Sequence, residues 1–176
     1  CFKAYDIRGK LGYEMNEGIA YRIGRATSQK LRAKTVALGF DARESSPILA
    51  QGAIRGICDA GADVLEIGLA GTEEMYAAVS EFKAGAGIQI TASHNPIEYN
   101  GMKFVGAGSA PLNVEGEFLK IKSVAEKLGT DRPNGKRGQT FDLSLESRSA
   151  YVSKVLSFVN AGGLKPLRVV VNCGNG

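Results

Sequence analysis

Tryptophan is absent from this chain, histidine occurs once, and aromatic residues make up only 7% of it. So few rings leave little material for stacking nucleic-acid bases. The net charge of +4 and pI near 9.0 do not restore that reading, because Lys and Arg are spread along the chain rather than gathered in a stripe. Mild basicity suits a small anionic substrate equally well. Three cysteines, Cys1, Cys58 and Cys173, are too few and too scattered for a disulfide framework or a zinc site. Cys58 falls in an apolar helical pattern and reads as a small core residue, so a reducing, cytoplasmic setting is expected. No apolar stretch approaches the ~20 residues that span a bilayer, and no signal peptide opens the chain. Neither a membrane nor a nucleic acid is an expected partner. The chain starts at Cys1 without Met, which suggests a trimmed N-terminus. A Walker A lysine with its Ser/Thr neighbour is missing as well. Gly85-Ala86-Gly87, Gly106-Ala107-Gly108 and Gly174-Asn175-Gly176 do not complete a dinucleotide fingerprint.

What remains is ordinary globular material, 44% hydrophobic and 23% charged, enough for one good-sized core and a piece of another. Apolar runs alternate with helical patterns, which predicts a three-layer α/β/α unit around a mixed, mainly parallel sheet. Strands are expected at Phe2 to Ile7, Thr35 to Phe40, Asp63 to Ile67, Ile88 to Thr91 and Met102 to Val105. Helices are expected from Asn16, as cap, to Leu31, at Pro47 to Asp59 with Ser46 as cap, at Thr72 to Phe82, and at Val114 to Leu128. Residues 129–138 are polar and rich in turn formers and read as a linker. A helix at Ser144 to Val159 and a strand at Leu167 to Asn172 follow. The domains are therefore taken as 1–143 and the start of a second at 144–176.

Polar residues collect at four strand ends: Tyr5-Asp6-Ile7-Arg8-Gly9, Gly39 to Ser45, Thr91-Ala92-Ser93-His94-Asn95-Pro96, and Asn100-Gly101-Met102-Lys103. Open α/β sheets keep their chemistry at the C-terminal ends of strands. If these strands share a sheet, Arg8, Arg43, Ser93, His94 and Lys103 can converge on a phosphate, with Arg as a fork and Lys as a point charge. Each residue also has a plainer reading. Arg43 can simply pair with Asp41, Asn95-Pro96 can be a structural turn, and Lys103 can be a solvated edge residue. Adjacent side chains in an extended loop point apart, so Ser93-His94 is no sign of a hydrolase triad, and no G-x-S-x-G elbow surrounds Ser93.

Thr91 to Pro96 resembles the phosphoserine loop of the α-D-phosphohexomutases, the family of phosphomannomutases and phosphoglucomutases. Tyr5 to Gly9, Gly39 to Ser45, Asn100 to Lys103 and Val170 to Gly176 resemble further family segments in the same order. The resemblance implies a four-domain enzyme, of which this chain is the first domain and the opening of the second. It implies a phosphate carried on Ser93, passed to a hexose phosphate to give a hexose 1,6-bisphosphate, and taken back from the other end. Lys103 is then an acid/base for the sugar hydroxyl, Arg8 a partner of the phosphoryl group and His94 an assisting residue. Tyr5, Arg8, Arg43, Asn95, Asn100 and Lys103 are implied to bind substrate or phosphate. Mg²⁺ is implied on a phosphoserine oxygen of Ser93, with Asp ligands outside this chain, since no Asp-x-Asp-x-Asp loop occurs here. Gly71-Thr72-Glu73-Glu74 with Tyr99 to Lys103 resembles the bacterial phosphomannomutases that feed GDP-mannose synthesis. Mannose 6-phosphate and mannose 1-phosphate are thus the expected substrates. Glucose or glucosamine phosphates, or a non-catalytic phosphosugar- or nucleotide-binding module, are the alternatives. The 176 residues alone are expected to be inactive.

Overall fold

In a computed structural model, residues 1–172 are described. Six strands, β1 (Ile7–Lys10), β2 (Thr35–Phe40), β3 (Asp63–Leu69), β4 (Ala86–Ile90), β5 (Tyr99–Gly106) and β6 (Thr140–Asp142), form one sheet in the order β1-β5-β4-β2-β3-β6. β4, β2, β3 and β6 pair in parallel, whereas β5 runs antiparallel to both β1 and β4. The mixed, mainly parallel sheet expected from the alternating pattern is present. Helices α1 (Glu17–Leu31), α2 (Ser46–Asp59) and α4 (Leu119–Ala125) cover one face, and α3 (Thr72–Glu81) and α5 (Ser144–Leu156) the other.

The period-two alternation of the central strands sorts side chains between two cores. Val36, Leu38, Ile88 and Ile90 pack under α1 and α2. Ala37 and Ile67 join Met75 and Val79 of α3. The Asn16 side chain accepts from the Ile19 N–H at 2.9 Å and so caps α1 as expected. Close packing of α1 on α2 needs Gly56, where a Cβ would sit 2.0 Å from the Tyr21 carbonyl oxygen. Cys58 is buried, and burial pushes its thiol pKa up, which makes it a core residue rather than a reactive one.

Several boundaries differ from the sequence reading, each for a local reason. The first strand begins at Ile7 rather than Phe2, because the chain before it turns back on itself: Phe2 makes an isolated antiparallel bridge with Ile7 and packs its ring on Phe118. Ser45, not Ser46, is the cap residue of α2, and the Ser46 hydroxyl is turned to Asp41. Val114–Phe118 forms a π-helical turn before α4, with the Asn113 side chain accepting from Gly116 N–H. β6 was not foreseen: three exposed residues carry no alternation strong enough to mark it, and only pairing with Val64 to Glu66 makes it a strand.

The 129–138 stretch is irregular but tied down. Arg25 donates to the Asp131 carbonyl at 3.2 Å, Arg137 pairs with Asp59 at 2.6 Å, and Gly138 N–H donates to the Cys58 carbonyl. α5 is held to α3 by a bond from Arg148 Nε to the buried Glu74 carboxylate at 2.9 Å. Leu167 to Asn172 forms no strand; Leu167, Val169, Val170 and Val171 are exposed and no described residue pairs with them. A strand needs a neighbour for its backbone groups, and among the described residues no strand pairs with Leu167 to Val171. The glycine turn expected at 173–176 lies outside the described residues.

Candidate active site

The C-terminal ends of β2 and β4 and the N-terminal end of β5 meet at one edge of the sheet, where Asp41 N–H donates to the Ile90 carbonyl at 3.0 Å. The chain leaves β4 at Thr91 and makes a tight turn. Thr91 Oγ1 accepts from Ser93 N–H at 2.9 Å, and Asn95 N–H donates to the Ala92 carbonyl. Ser93 sits at φ 54°, in the left-handed region. That conformation costs an L-residue roughly 1–2 kcal/mol, so the turn must be held by its surroundings.

Arg43 does most of the holding. Its Nη1 donates to the carbonyls of Pro96 (2.9 Å) and Tyr99 (3.1 Å), and its Nη2 to those of Ser93 (2.9 Å) and Asn95 (2.6 Å). Asp41 orients the fork, with Oδ2 3.5 Å from Nε and Oδ1 accepting from Arg43 N–H and the Ser46 hydroxyl. Behind them, the buried Asn100 amide nitrogen donates to the Ser45 and Ser46 hydroxyls (2.8 and 2.9 Å), and its Oδ1 accepts from Gly101 N–H. The polar atoms of Arg43 and Asn100, two of the residues that the resemblance implies for substrate or phosphate, bond here to the protein, and Arg43 also pairs with Asp41.

The turn also corrects the expectation that Ser93 and His94 diverge. The left-handed residue folds the two side chains together, and Ser93 Oγ lies 3.3 Å from His94 Nδ1. Both are exposed at the mouth of a cleft of about 640 Å³ that Asn95, Arg43 and Asp41 also line. Arg8 reaches the loop from β1, donating from Nη1 to Asn95 Oδ1 while Asp6 holds its Nε at 2.9 Å. Its Nη2 makes no hydrogen bond among the described residues. Gly101 permits this approach: a Cβ there would lie 2.0 Å from the Ile7 carbonyl oxygen.

Lys103 and Tyr5 are not in this cleft. They line an adjacent hollow of about 350 Å³ floored by Phe104 and Phe118, and Lys103 stands opposite Gln89 in the β4–β5 register. Ser93, His94, Asn95 and Arg43 are therefore brought together, Arg8 is joined to them through Asn95, and Lys103 and Tyr5 flank them. Asp6 and Thr91 are supporting residues without a role in the sequence reading, which gave Asp41 only as a partner of Arg43 and Ser46 only as a helix cap.

Among the described residues no group of three or more His, Cys, Asp or Glu side chains is placed to hold a metal ion. Asp41, the carboxylate lining the Ser93 cleft, is taken by Arg43 and Ser46. For a hard cation, Ser93 presents an exposed oxygen in this cleft. No helix among the described residues is long and apolar enough to cross a membrane.

Residues 1–130 match the sequence model of the phosphoglucomutase/phosphomannomutase α/β/α domain I. The whole chain is 46% identical to a phosphomannomutase of Escherichia coli over 179 residues, covering 39% of that protein. It is 43% identical to one from Vibrio cholerae, covering 38% of it, and 40% identical to the phosphohexose mutases of Xanthomonas campestris, covering 39%. The chain thus spans about two fifths of the length of the curated relatives it matches. A crystal structure of a phosphoglucomutase/phosphomannomutase family protein from Burkholderia thailandensis superposes with a TM-score of 0.71 at 27% identity, covering 88% of this chain and 35% of that one. A Thermus thermophilus structure, at 24% identity and a TM-score of 0.74 over 92% of this chain and 36% of that one, shows the same fold. An exposed serine held in a left-handed turn at the edge of such a sheet, with this match over most of the chain, makes it a member of the phosphoglucomutase/phosphomannomutase family that carries the family's domain I.

Proposed function

We propose that this chain is the phosphoserine-bearing part of a phosphomannomutase, an isomerase that interconverts mannose 6-phosphate and mannose 1-phosphate. The observation that carries this reading is the Ser93 hydroxyl, exposed in an open cleft, fixed by the backbone and touching His94 at 3.3 Å. Ser93 carries a phosphate in the resting protein. A sugar hydroxyl attacks its phosphorus, the P–Oγ bond breaks, and the hexose 1,6-bisphosphate forms. Rebinding in the opposite sense returns the other phosphate to Ser93. Such transfer depends on positioning and charge neutralisation. The phosphate brings about −1.5 to −2 charges, and Arg8, joined to the loop through Asn95 and with Nη2 making no hydrogen bond among the described residues, is a cationic donor for it. His94 Nδ1 is placed to exchange the proton of Oγ. Lys103 takes the proton of the sugar hydroxyl from its own hollow, so the hexose spans both hollows, with Tyr5 along its edge. Asn95 orients Arg8 toward the loop. Mg²⁺ on a phosphoserine oxygen would supply further charge neutralisation.

The same geometry serves glucose or glucosamine phosphates, and the relatives' names favour mannose. On this reading the reaction takes place in the cytoplasm, its mannose 1-phosphate supplies GDP-mannose synthesis, and residues 144–176 open a second domain. The test is the mass of the intact protein before and after phosphatase treatment, with turnover assayed beside it. A single phosphate on wild type that Ser93→Ala lacks, together with loss of mutase activity in the variant, is expected. An active Ser93→Ala protein would overturn the reading. Retained sugar-phosphate binding without any turnover by wild type would point to a binding module instead.

A further inference from the structure

We propose that Arg43, oriented by Asp41, is the positioning residue that sets the Ser93 oxygen for phosphoryl transfer, and that it is not a ligand of the transferred phosphate. This role deepens the mutase reading and rests on it only for its kinetic part. A guanidinium has five N–H donors in one rigid plane. In this site Nε faces Asp41, Nη1 serves the Pro96 and Tyr99 carbonyls, and Nη2 serves those of Ser93 and Asn95. No edge of the fork is left for a phosphate. An anion could take two of these donors only by releasing carbonyls of the loop that carries the reacting serine.

The arrangement also answers a problem of the backbone. Four carbonyl oxygens within seven residues converge on one point, and their dipoles repel unless a cation sits among them. One of the four belongs to Ser93, the residue held at φ 54°. Arg43 therefore acts on the residue whose conformation matters most, while Thr91 Oγ1 fixes its N–H from the other side. The brace continues through Asp41 to the Ser46 hydroxyl and to the buried Asn100. A strand end, a helix start and the next strand thus all bear on the loop. A lysine ammonium, with three donors on a flexible stem, cannot serve four carbonyls at once.

The test uses the intact protein with Arg43→Ala, Arg43→Lys and Asp41→Asn, each checked for native thermal unfolding. Two readouts are taken: amide hydrogen exchange of residues 92–99 relative to β2 and β4, and kcat and KM for the hexose phosphate. We expect both Arg43 variants to exchange the loop faster and to lose about 100-fold in kcat, the scale on which a misplaced reacting atom is felt. KM should stay within about twofold, since no substrate contact is removed. Asp41→Asn should move in the same direction by less. If Arg43→Ala does not fold, Arg43→Lys is decisive, because it keeps the charge and loses only the fork. Near-normal turnover and exchange in Arg43→Lys would overturn the proposal. So would a raised KM with kcat and loop exchange unchanged, which would make Arg43 a phosphate ligand. The exchange readout needs no activity, so a wild type without turnover would defeat the mutase reading while the brace is still decided.

Discussion

Ser93 shows at the residue scale how much of a reactive group's character lies in its backbone. Its side chain is an ordinary hydroxyl. Its left-handed φ, its bond to Thr91 Oγ1 and the Arg43 fork make it a hydroxyl with a fixed direction. Gly101 illustrates the same point where a side chain is absent. A Cβ there would meet the Ile7 carbonyl oxygen at 2.0 Å, a backbone atom that cannot rotate away. Gly101→Ala should therefore push β1 off β5 and carry Arg8 away from Asn95. A loss of about 1–3 kcal/mol in denaturant stability is expected from such overpacking, with a further loss of activity in the intact protein. An alanine variant of normal stability would show that β1 does not lie this close.

At the scale of elements, β6 and α5 explain how the polar 129–138 stretch is followed by ordered structure. β6 pairs with β3, which sets Glu66 beside Asp142. Burial, and then the Asp142 charge, raise the Glu66 carboxyl above the ordinary glutamate range. The sign of the pH dependence follows. An acid whose folded pKa is raised loses stability as pH climbs from its unfolded value through its folded one, because the folded state resists ionisation. Glu66→Gln removes that cost, so it should stabilise the protein at pH 7, by about 1 kcal/mol or less for a partly buried group still in reach of solvent. The gain should shrink as pH falls into the ordinary carboxylate range. Urea unfolding of wild type and variant at several pH values reads this directly, and a gain that grows toward acid would refute it. Neither Glu66 nor Asp142 advertises this contact in sequence, since their pairing depends on where β6 docks.

At the scale of the whole molecule, two cores share one sheet, and the cleft lies where the parallel strands end. The described C-terminal part is unlike the rest: Leu145, Leu156, Phe158, Leu167 and Val170 are all more than half exposed. Apolar surface gathered in this way associates or binds hydrophobic probes. The isolated 176-residue polypeptide should therefore bind a hydrophobic dye and self-associate with rising concentration in sedimentation. A monodisperse, dye-silent monomer would contradict this. The sequence by itself determined the α/β alternation, the capped α1, the central strands and the Ser93 loop, because apolar periodicity, capping residues and short motifs are local signals. Only the tertiary structure decided the strand order, the existence of β6, the separation of Lys103 from the Ser93 cleft and the role of Arg43. Those depend on which backbone groups meet across the sheet. Arg43 carries the same five donors in any fold; only the tertiary structure brought four carbonyls of the Ser93 loop within their reach.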